Sequence, residues 1–344
     1  MNNQVLSEDI KLFALNFKLS EQLRDKTFLI TGATGLIGSV MVKCLLELNR
    51  QMRLGIKIIA VVRNLDKAKM VFADEYSQVD FLQLELSEIT PDHIEGIVDY
   101  VVHLASPTAS KYFVDHPVET LRTAVEGTTA VLEFAKAANV KSMVFASSLE
   151  VYGSNSDHQQ IDESFQGYVN PVEVRSSYNI GKRTAECLCH SYYKEYNVPV
   201  KIARLTQTTG AGIAEDDNRI IVQFACLAAQ SKDIVLHTTG ESARPYCYTT
   251  DAVSALLYIL LKGENGEAYN VANEETYISA CGMAEYVKKF VNSNINVRVE
   301  LNDNMGYAPV TKLCLSTAKL RNLGWSPQYG LKDIFYRLTE YLGN

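Results

Sequence analysis

No run of this 344-residue chain is apolar for the roughly 20 residues that cross a bilayer, so no membrane span is expected. The first residues, MNNQVLSEDIKLFALNF, carry early acids and lack the apolar centre of a secretory signal; a cytoplasmic location is expected. Cysteine is sparse and scattered. Of seven, only Cys187 and Cys189 are close, and C-x-C on a helical stretch is a poor metal or redox motif. Reduced, structural thiols and no metal centre are expected. Positive charge is not in excess: 33 Lys and Arg stand against 40 Asp and Glu, a net charge of -7. A nucleic-acid binder would carry a basic face, so nucleic acid is not an expected partner. A small anionic ligand remains open, because a few N–H groups and one Arg can hold a diphosphate locally. Internal repeats, low-complexity tracts and Pro- or Gly-rich linkers are absent as well.

What is present is an ordinary globular balance, 47% hydrophobic and 21% charged. The length suits one large α/β domain with a smaller lobe. Residues 1–25 read as an amphipathic helical extension. DKTFLITGATGLIGSVMVKCLLEL then passes from an apolar strand through a Gly-rich turn into a helix. IKIIAVV, VDFLQLEL, VDYVVHLAS and KSMVFASS follow as strands, with helical stretches such as VETLRTAVEGTTAVLEFAKAAN between them. Strands alternating with helices imply an α/β fold with a doubly wound, Rossmann-type parallel sheet. That domain is placed at 26–205. Beyond VPVKIARLT, short helices (NRIIVQFACLAAQ, TTDAVSALLYILL) surround brief strands (IVLHT, EAYNVAN). Residues 206–344 are therefore read as a smaller, mixed substrate lobe, part of which is free to return to the sheet.

Gly32-Ala33-Thr34-Gly35-Leu36-Ile37-Gly38 lies between the first strand and its helix. Glycine at that turn lets the backbone approach a pyrophosphate, whose charge then sits at a helix N-terminus. A lone Gly-x-x-Gly-x-x-Gly is weak evidence; strand before and helix after supply the context it requires. An acid that bonds the adenosine ribose normally ends the second strand, whereas here Val62 is followed by Arg63. Arg63 either pairs with a 2′-phosphate, which favours NADP over NAD, or is a surface Arg. Glu85, after the third strand, is a candidate acceptor for the adenine amine.

Tyr178-Asn179-Ile180-Gly181-Lys182 puts a phenol and an ammonium at i and i+4 on one helical face. A free Tyr, with a pKa of about 10, is a poor base at neutral pH. A neighbouring cation favours the phenolate and makes it usable. Ser148, ending the fifth strand, can bond the same substrate hydroxyl.

With these residues in order, the chain resembles the extended short-chain dehydrogenase/reductases that modify nucleotide sugars, the NAD-dependent epimerase/dehydratase/decarboxylase group. The likeness runs from about Asp25 to the end. It rests on the Gly-rich turn, His103-Leu104-Ala105-Ser106, Ser147-Ser148-x-x-Val151-Tyr152-Gly153, Tyr178-x-x-x-Lys182 and the tail Leu323-Gly324-Trp325-Ser326-Pro327. HLASPTAS and VNPVEVRSSYNIGKRTAE are similar to UDP-glucuronate decarboxylases in particular. The resemblance implies bound NAD or NADP, a nucleotide-diphosphate sugar as substrate, and a homodimer built on four helices. For the dimer it points to the segments 118–138 and 178–196, with Leu121, Val125, Leu132, Leu188 and Tyr192 as spare apolar residues.

By the same resemblance, Ser148, Tyr178, Lys182 and Glu150 are the catalytic candidates. Gly32, Thr34, Gly35, Leu36, Ile37, Gly38, Arg63, Glu85, Leu86, Leu104 and Ala105, with Tyr178 and Lys182, would hold the cofactor. Ser106, Glu150, Gln207, Arg219 and Arg244 would meet the substrate. Sugar 4,6-dehydratases carry Thr-Asp-Glu where this chain has Ser148-Leu149-Glu150, and Leu149 in place of the acid counts against water loss. Arg63 and Gln207 also depart from the family, which often has an Asn at the latter position. The implied chemistry is transient oxidation at the sugar C4, then decarboxylation, epimerisation or elimination. A net NADPH-dependent reductase is the alternative, and a non-catalytic cofactor sensor the alternative from another class. Plainer readings stand beside the sharper ones: Glu150 as a loop acid or helix-capping partner, Arg244 as a surface Arg, His103 as support for the cofactor loop, and Asp251 as a helix N-cap.

Overall fold

The computed structural model describes residues 4–155, 160–214, 216–301 and 310–343. The chain opens with α1 (Gln4–Asn16), then β1 (Thr27–Thr31), α2 (Leu36–Met52), β2 (Lys57–Val62), α3 (Leu65–Phe72), β3 (Asp80–Gln83) and β4 (Tyr100–His103). Next come α4 (Ser110–Asp115), α5 (Pro117–Arg122), α6 (Thr128–Ala137), β5 (Ser142–Ser148), the two-residue β6 (Gln160–Ile161), α7 (Ser176–Tyr196) and β7 (Val200–Leu205). The remainder is β8 (Gln207–Thr209), α8 (Ile220–Ala229), β9 (Ile234–Leu236), β10 (Ala243–Tyr248), α9 (Thr249–Lys262), β11 (Ala268–Val271), β12 (Asn273–Ser279), α10 (Ala280–Phe290), β13 (Val297–Val299), β14 (Cys314–Leu315), α11 (Ala318–Asn322) and α12 (Leu331–Gly343).

Seven parallel strands form the central sheet in the order β11-β7-β5-β4-β1-β2-β3. From β1 the chain winds outward through β2 to β3, returns to β4 on the other side, and continues outward to β11. The direction reverses between β1 and β4, where a doubly wound sheet opens a crevice at its carboxyl edge. The doubly wound parallel sheet read from the sequence is the architecture observed. Its outermost strand, β11, comes from well past residue 206. Smaller sheets, β12-β10-β8, β13-β9 and β14-β6, complete the C-terminal part.

The alternation of side chains along each strand divides the interior in two. Phe28, Ile30, Tyr100, Val102 and Val144 join one core with α2 and α9, while Leu29, Val101, Met143 and Phe145 join another with α6 and α7. Burial on both faces explains why these strands read as continuous apolar runs. A third core gathers α8, α10 and α12.

Two sequence expectations change here. The stretch 118–138 is not one regular helix: α5 and α6 are joined by a π-type turn over Thr123–Gly127. Asp251 is not the N-cap of its helix. Tyr248 holds that position, and the Asp251 carboxylate accepts the amides of Gln328 and Tyr329, each at 3.0 Å. It secures the C-terminal loop rather than the start of α9.

The first helix is part of the main core, to which it gives Ile10, Phe13 and Ala14. Its polar side carries Asp9, 1% exposed, ion-paired to Arg337 of α12 at 2.6 Å and accepting the Tyr248 hydroxyl. Arg337 also lies over the Tyr329 ring, 5.3 Å from its centre. Burial pushes the Asp9 carboxyl up to about 6. Between roughly pH 4 and 6 the folded chain thus holds a proton that the unfolded chain has released, and Asp9 costs stability as pH rises through that window. Removing the ionisable group should remove this dependence. The melting temperature of Asp9→Asn minus that of the unaltered chain is expected to increase from pH 4 to pH 7. A constant difference would mean that Asp9 titrates as an ordinary carboxyl.

Candidate active site

The crevice is built by close backbone approach. Gly32 leaves β1 with φ +69°, and a Cβ there would lie 2.7 Å from the Ala105 nitrogen and 2.8 Å from the Leu104 carbonyl carbon. The turn after β1 and the exit of β4 therefore meet as bare backbone. At Gly38 a Cβ would lie 2.3 Å from the Gly32 carbonyl oxygen, so the first turn of α2 folds back on the same loop. Gly35 differs. It is the N-cap of α2, it is exposed, and a Cβ would meet only the Gly32 oxygen at 3.3 Å. No side chain caps this end of α2, and the first amides of a helix, here those of Leu36 and Ile37, have no acceptor within it. Such an end suits a diphosphate, and the residues present fit the phosphate portion of a dinucleotide. Thr34 is half-buried beside them.

The adenosine side is more open. Arg63 is exposed at the end of β2, its carbonyl accepting the Gln83 amide at 3.2 Å. Its guanidinium makes no hydrogen bond or ion pair among the described residues. Glu85 is exposed after β3, and Leu86 packs beside Gly127. His103 is buried. Its Nδ1 lies 2.7 Å from Thr31 Oγ1 and its Nε2 3.2 Å from Thr128 Oγ1. Thr31 Oγ1 also accepts the Ala105 amide at 3.2 Å. Burial first, and the Lys182 charge second, lower the His103 pKa to about 3. The ring is a neutral strut between β1, β4 and α6.

β5 and α7 supply the reactive side chains. Ser148 begins a short 3₁₀ turn, Leu149–Tyr152, its Oγ accepting the Glu150 amide at 3.2 Å. Its hydroxyl also stands near the Tyr178 phenol, close enough to favour the ionised form. Tyr178, 8% exposed, stacks on Phe113 of α4 with ring centres 4.2 Å apart. One turn on, Lys182 Nζ donates to the Ala146 carbonyl at 2.7 Å and lies 5.9 Å from the Tyr178 ring centre. The expectation that Lys182 lowers the Tyr178 pKa is not met in the chain alone. Burial, and then the Glu150 charge, push the phenol well above its ordinary value, while the nearby Ser148 hydroxyl and the Arg175 charge oppose them. Lys182 is itself lowered to about 8 by burial, and one of its protons is engaged by β5 backbone.

Glu150 is half-buried and ion-paired. Arg175 Nη2 lies 2.9 Å from each of its carboxylate oxygens, and the Asn179 amide donates to its main-chain carbonyl at 2.8 Å. Arg175 and Phe113 were missed in the sequence. Glu150 is 25 residues from Arg175, and nothing in the spacing brings them together. Among the substrate candidates, Ser106 Oγ donates to the Pro107 carbonyl at 3.1 Å. Arg219 is bound to Asp217 at 2.8 Å and also donates to the Thr208 carbonyl. Gln207 lies beside Tyr246 in the β8–β10 pair, and its Oε1 is buried without a partner among the described residues. The guanidinium of Arg244, half-buried on β10 across from Ile278 of β12, has no hydrogen bond or ion pair among the described residues, and none joins it to Glu150. An orphaned acceptor and an unpaired guanidinium are the groups a polar ligand would satisfy.

The NAD dependent epimerase/dehydratase family profile matches residues 28–272. UDP-glucuronic acid decarboxylase 2 of Arabidopsis thaliana is 30% identical over 88% of this chain, which spans 65% of that relative's length. UDP-glucuronic acid decarboxylase 1 of Xenopus tropicalis is 30% identical over 94% of this chain and 73% of its own. Among solved structures, UDP-glucose 4-epimerase of Thermotoga maritima superposes with a TM-score of 0.77 at 20% identity, covering 92% of this chain and 98% of that one. A dTDP-glucose 4,6-dehydratase of Bacillus anthracis gives 0.73 at 22% identity, covering 92% and 96%. With a matching profile over most of its length, and with the Gly-rich turn after β1 and Ser148 at the end of β5 on the carboxyl edge of one parallel sheet, the chain belongs to the NAD dependent epimerase/dehydratase family.

Proposed function

We propose that the chain modifies a nucleotide-linked sugar by transient oxidation at C4, and that it decarboxylates a nucleotide-linked glucuronate. The observation that carries the reading is Glu150, held by Arg175 close enough to Tyr178 for its charge to act on the phenol. The resemblance to decarboxylases assigns a Glu to this place, and the names of the curated relatives, UDP-glucuronic acid decarboxylases, agree with the reaction proposed. When bound at the Gly-rich turn, a nicotinamide dinucleotide would supply the hydride acceptor and donor that C4 needs. Tyr178 takes the proton of the C4 hydroxyl, and Ser148 orients that hydroxyl. Oxidised at C4, the sugar is a β-keto acid. Its C5–C6 bond breaks, the electron pair passes toward the C4 oxygen, and carbon dioxide leaves. Glu150 is the second acid/base and serves the proton that C5 must gain. Tyr178 then returns its proton to the C4 oxygen. Gln207 and Arg244 are the proposed substrate ligands, Arg244 for a carboxylate or phosphate that an Arg fork engages bidentately. Leu149 supplies no acid for elimination, which disfavours dehydration.

Release of labelled carbon dioxide from UDP-glucuronate carrying the label at C6 is the expected outcome. Tyr178→Phe should slow it by about 100-fold or more, since only the proton-transferring oxygen is lost. No label above background from active, cofactor-loaded enzyme would end the decarboxylase reading and leave an epimerase, dehydratase or reductase of a neutral sugar.

For the cofactor, the exposed Arg63 guanidinium, without a protein partner among the described residues, supports a 2′-phosphate ligand and so NADP. Arg63→Asp is expected to move the ratio of NAD to NADP affinity by about tenfold toward NAD. Equal affinities in the unaltered chain, unchanged in the variant, would leave Arg63 in solvent.

The assembly we propose is a homodimer through the faces of α5, α6 and α7. Val118 is 60% exposed there, and Leu121, Val125, Leu188 and Tyr192 are half-buried, an apolar surface of the kind interfaces cover. Leu132 does not contribute, because it is fully buried in the second core. Light scattering at micromolar concentration should give the mass of two chains; a monomer rejects the proposal.

A further inference from the structure

We propose that Arg175 is a positioning residue that holds the Glu150 carboxylate and offsets its charge, so that a carboxylate can stand beside the tyrosine that must lose its proton. The inference rests on the reading of Tyr178 as the proton acceptor and deepens it. Acting together, Glu150 and Tyr178 present a conflict: a carboxylate nearby disfavours the phenolate. The fold answers with three contacts of one guanidinium. Arg175 Nη2 reaches both Glu150 oxygens at 2.9 Å, its Nη1 donates to Asn179 Oδ1 at 3.4 Å, and its Cζ lies 4.9 Å from the centre of the Phe113 ring. Phe113 is the ring on which Tyr178 stacks. Asn179 closes the loop by donating to the Glu150 carbonyl. The acid, its cation and the phenol are therefore tied through one aromatic ring and one amide.

The charges around Tyr178 are few. The turn after β5 brings Glu150, and α7 brings Arg175 and Lys182. β5 contributes the neutral Ser148. α4 contributes the neutral Phe113, with Lys111 and Asp115 paired to each other at the surface. His103 on β4 is neutral. Lys182 is engaged at Ala146, which leaves Arg175 as the cation that opposes Glu150 at the phenol. A planar fork stacked on a ring is not replaced in full by Lys, but Lys keeps the charge.

The test follows single-turnover reduction of the bound oxidised nicotinamide cofactor, NAD or NADP, by a nucleotide sugar against pH. That step precedes decarboxylation, epimerisation and elimination alike, so its outcome does not depend on which follows. Arg175→Ala is expected to slow the step about tenfold and to move its ascending limb to higher pH by about one unit, because Glu150 is left uncompensated. Arg175→Lys should restore the position of the limb. Glu150→Gln added to Arg175→Ala should return it toward the unaltered enzyme, since the opposing charge is gone. The same limb in all variants, with only a lower melting temperature, would overturn the proposal and leave Arg175 a structural residue. If no nucleotide sugar reduces the cofactor in the unaltered enzyme, the proposed function fails. Crystal structures then decide the positioning role without turnover. A Glu150 carboxylate that leaves its place in Arg175→Ala supports it, and one that stays overturns it.

Discussion

Everything chemical in this molecule depends on the seam between α7 and β5. Three polar side chains spaced four residues apart on one face of the helix, Tyr178, Lys182 and Glu186, meet three consecutive residues of the strand. Tyr178 stands near Ser148, Lys182 donates to the Ala146 carbonyl, and Glu186 accepts the Ser147 hydroxyl at 2.5 Å. The last of these is the anchor. Glu186 is also paired with Arg204 of β7 at 2.7 Å, both side chains about nine-tenths buried, and Arg204 donates in turn to the Tyr152 hydroxyl at 3.1 Å. Buried charges of this kind add little net stability when paired, yet breaking one is costly, so the pair holds a register more than it strengthens a fold. That register sets the height of Tyr178 above the end of the sheet.

The reactive groups sit at the end of this seam under opposing pressures. Burial lowers Lys182 and raises Tyr178, both away from the ionised forms that proton transfer requires. Neither group is tuned by the other in the chain alone. Elsewhere the described residues include a helix end without a capping side chain, a buried Gln207 oxygen without a described partner and the similarly unpaired Arg244 guanidinium. Unanswered polar groups of this kind suit a ligand that brings charge and hydrogen bonds with it, in keeping with an NAD dependent family.

The sequence by itself determined the parts that local chemistry dictates. Continuous apolar strands alternating with helices allow little except a parallel, doubly wound sheet, because strands buried on both faces cannot show the alternation of a half-exposed one. A Gly-rich turn between strand and helix marks the crevice, since no Cβ fits at Gly32 or Gly38. The i, i+4 spacing of Tyr178 and Lys182 places them on one face whatever the rest of the chain does.

Tertiary structure alone decided the remainder, because those contacts join residues far apart in sequence. Arg175 finds Glu150 across 25 residues, Phe113 reaches Tyr178 across 65, and Asp9 meets Arg337 from the opposite end of the chain. No periodicity encodes such pairs. Asp251 shows the same limit from the other side: its place after two threonines suggested a cap, and the fold instead turned its carboxylate to the amides of a loop 77 residues away. Even the behaviour of Tyr178 was beyond local reading, since a Lys four residues on lowers a phenol only if its ammonium is free to face it, and here burial and the Ala146 carbonyl claim that ammonium first.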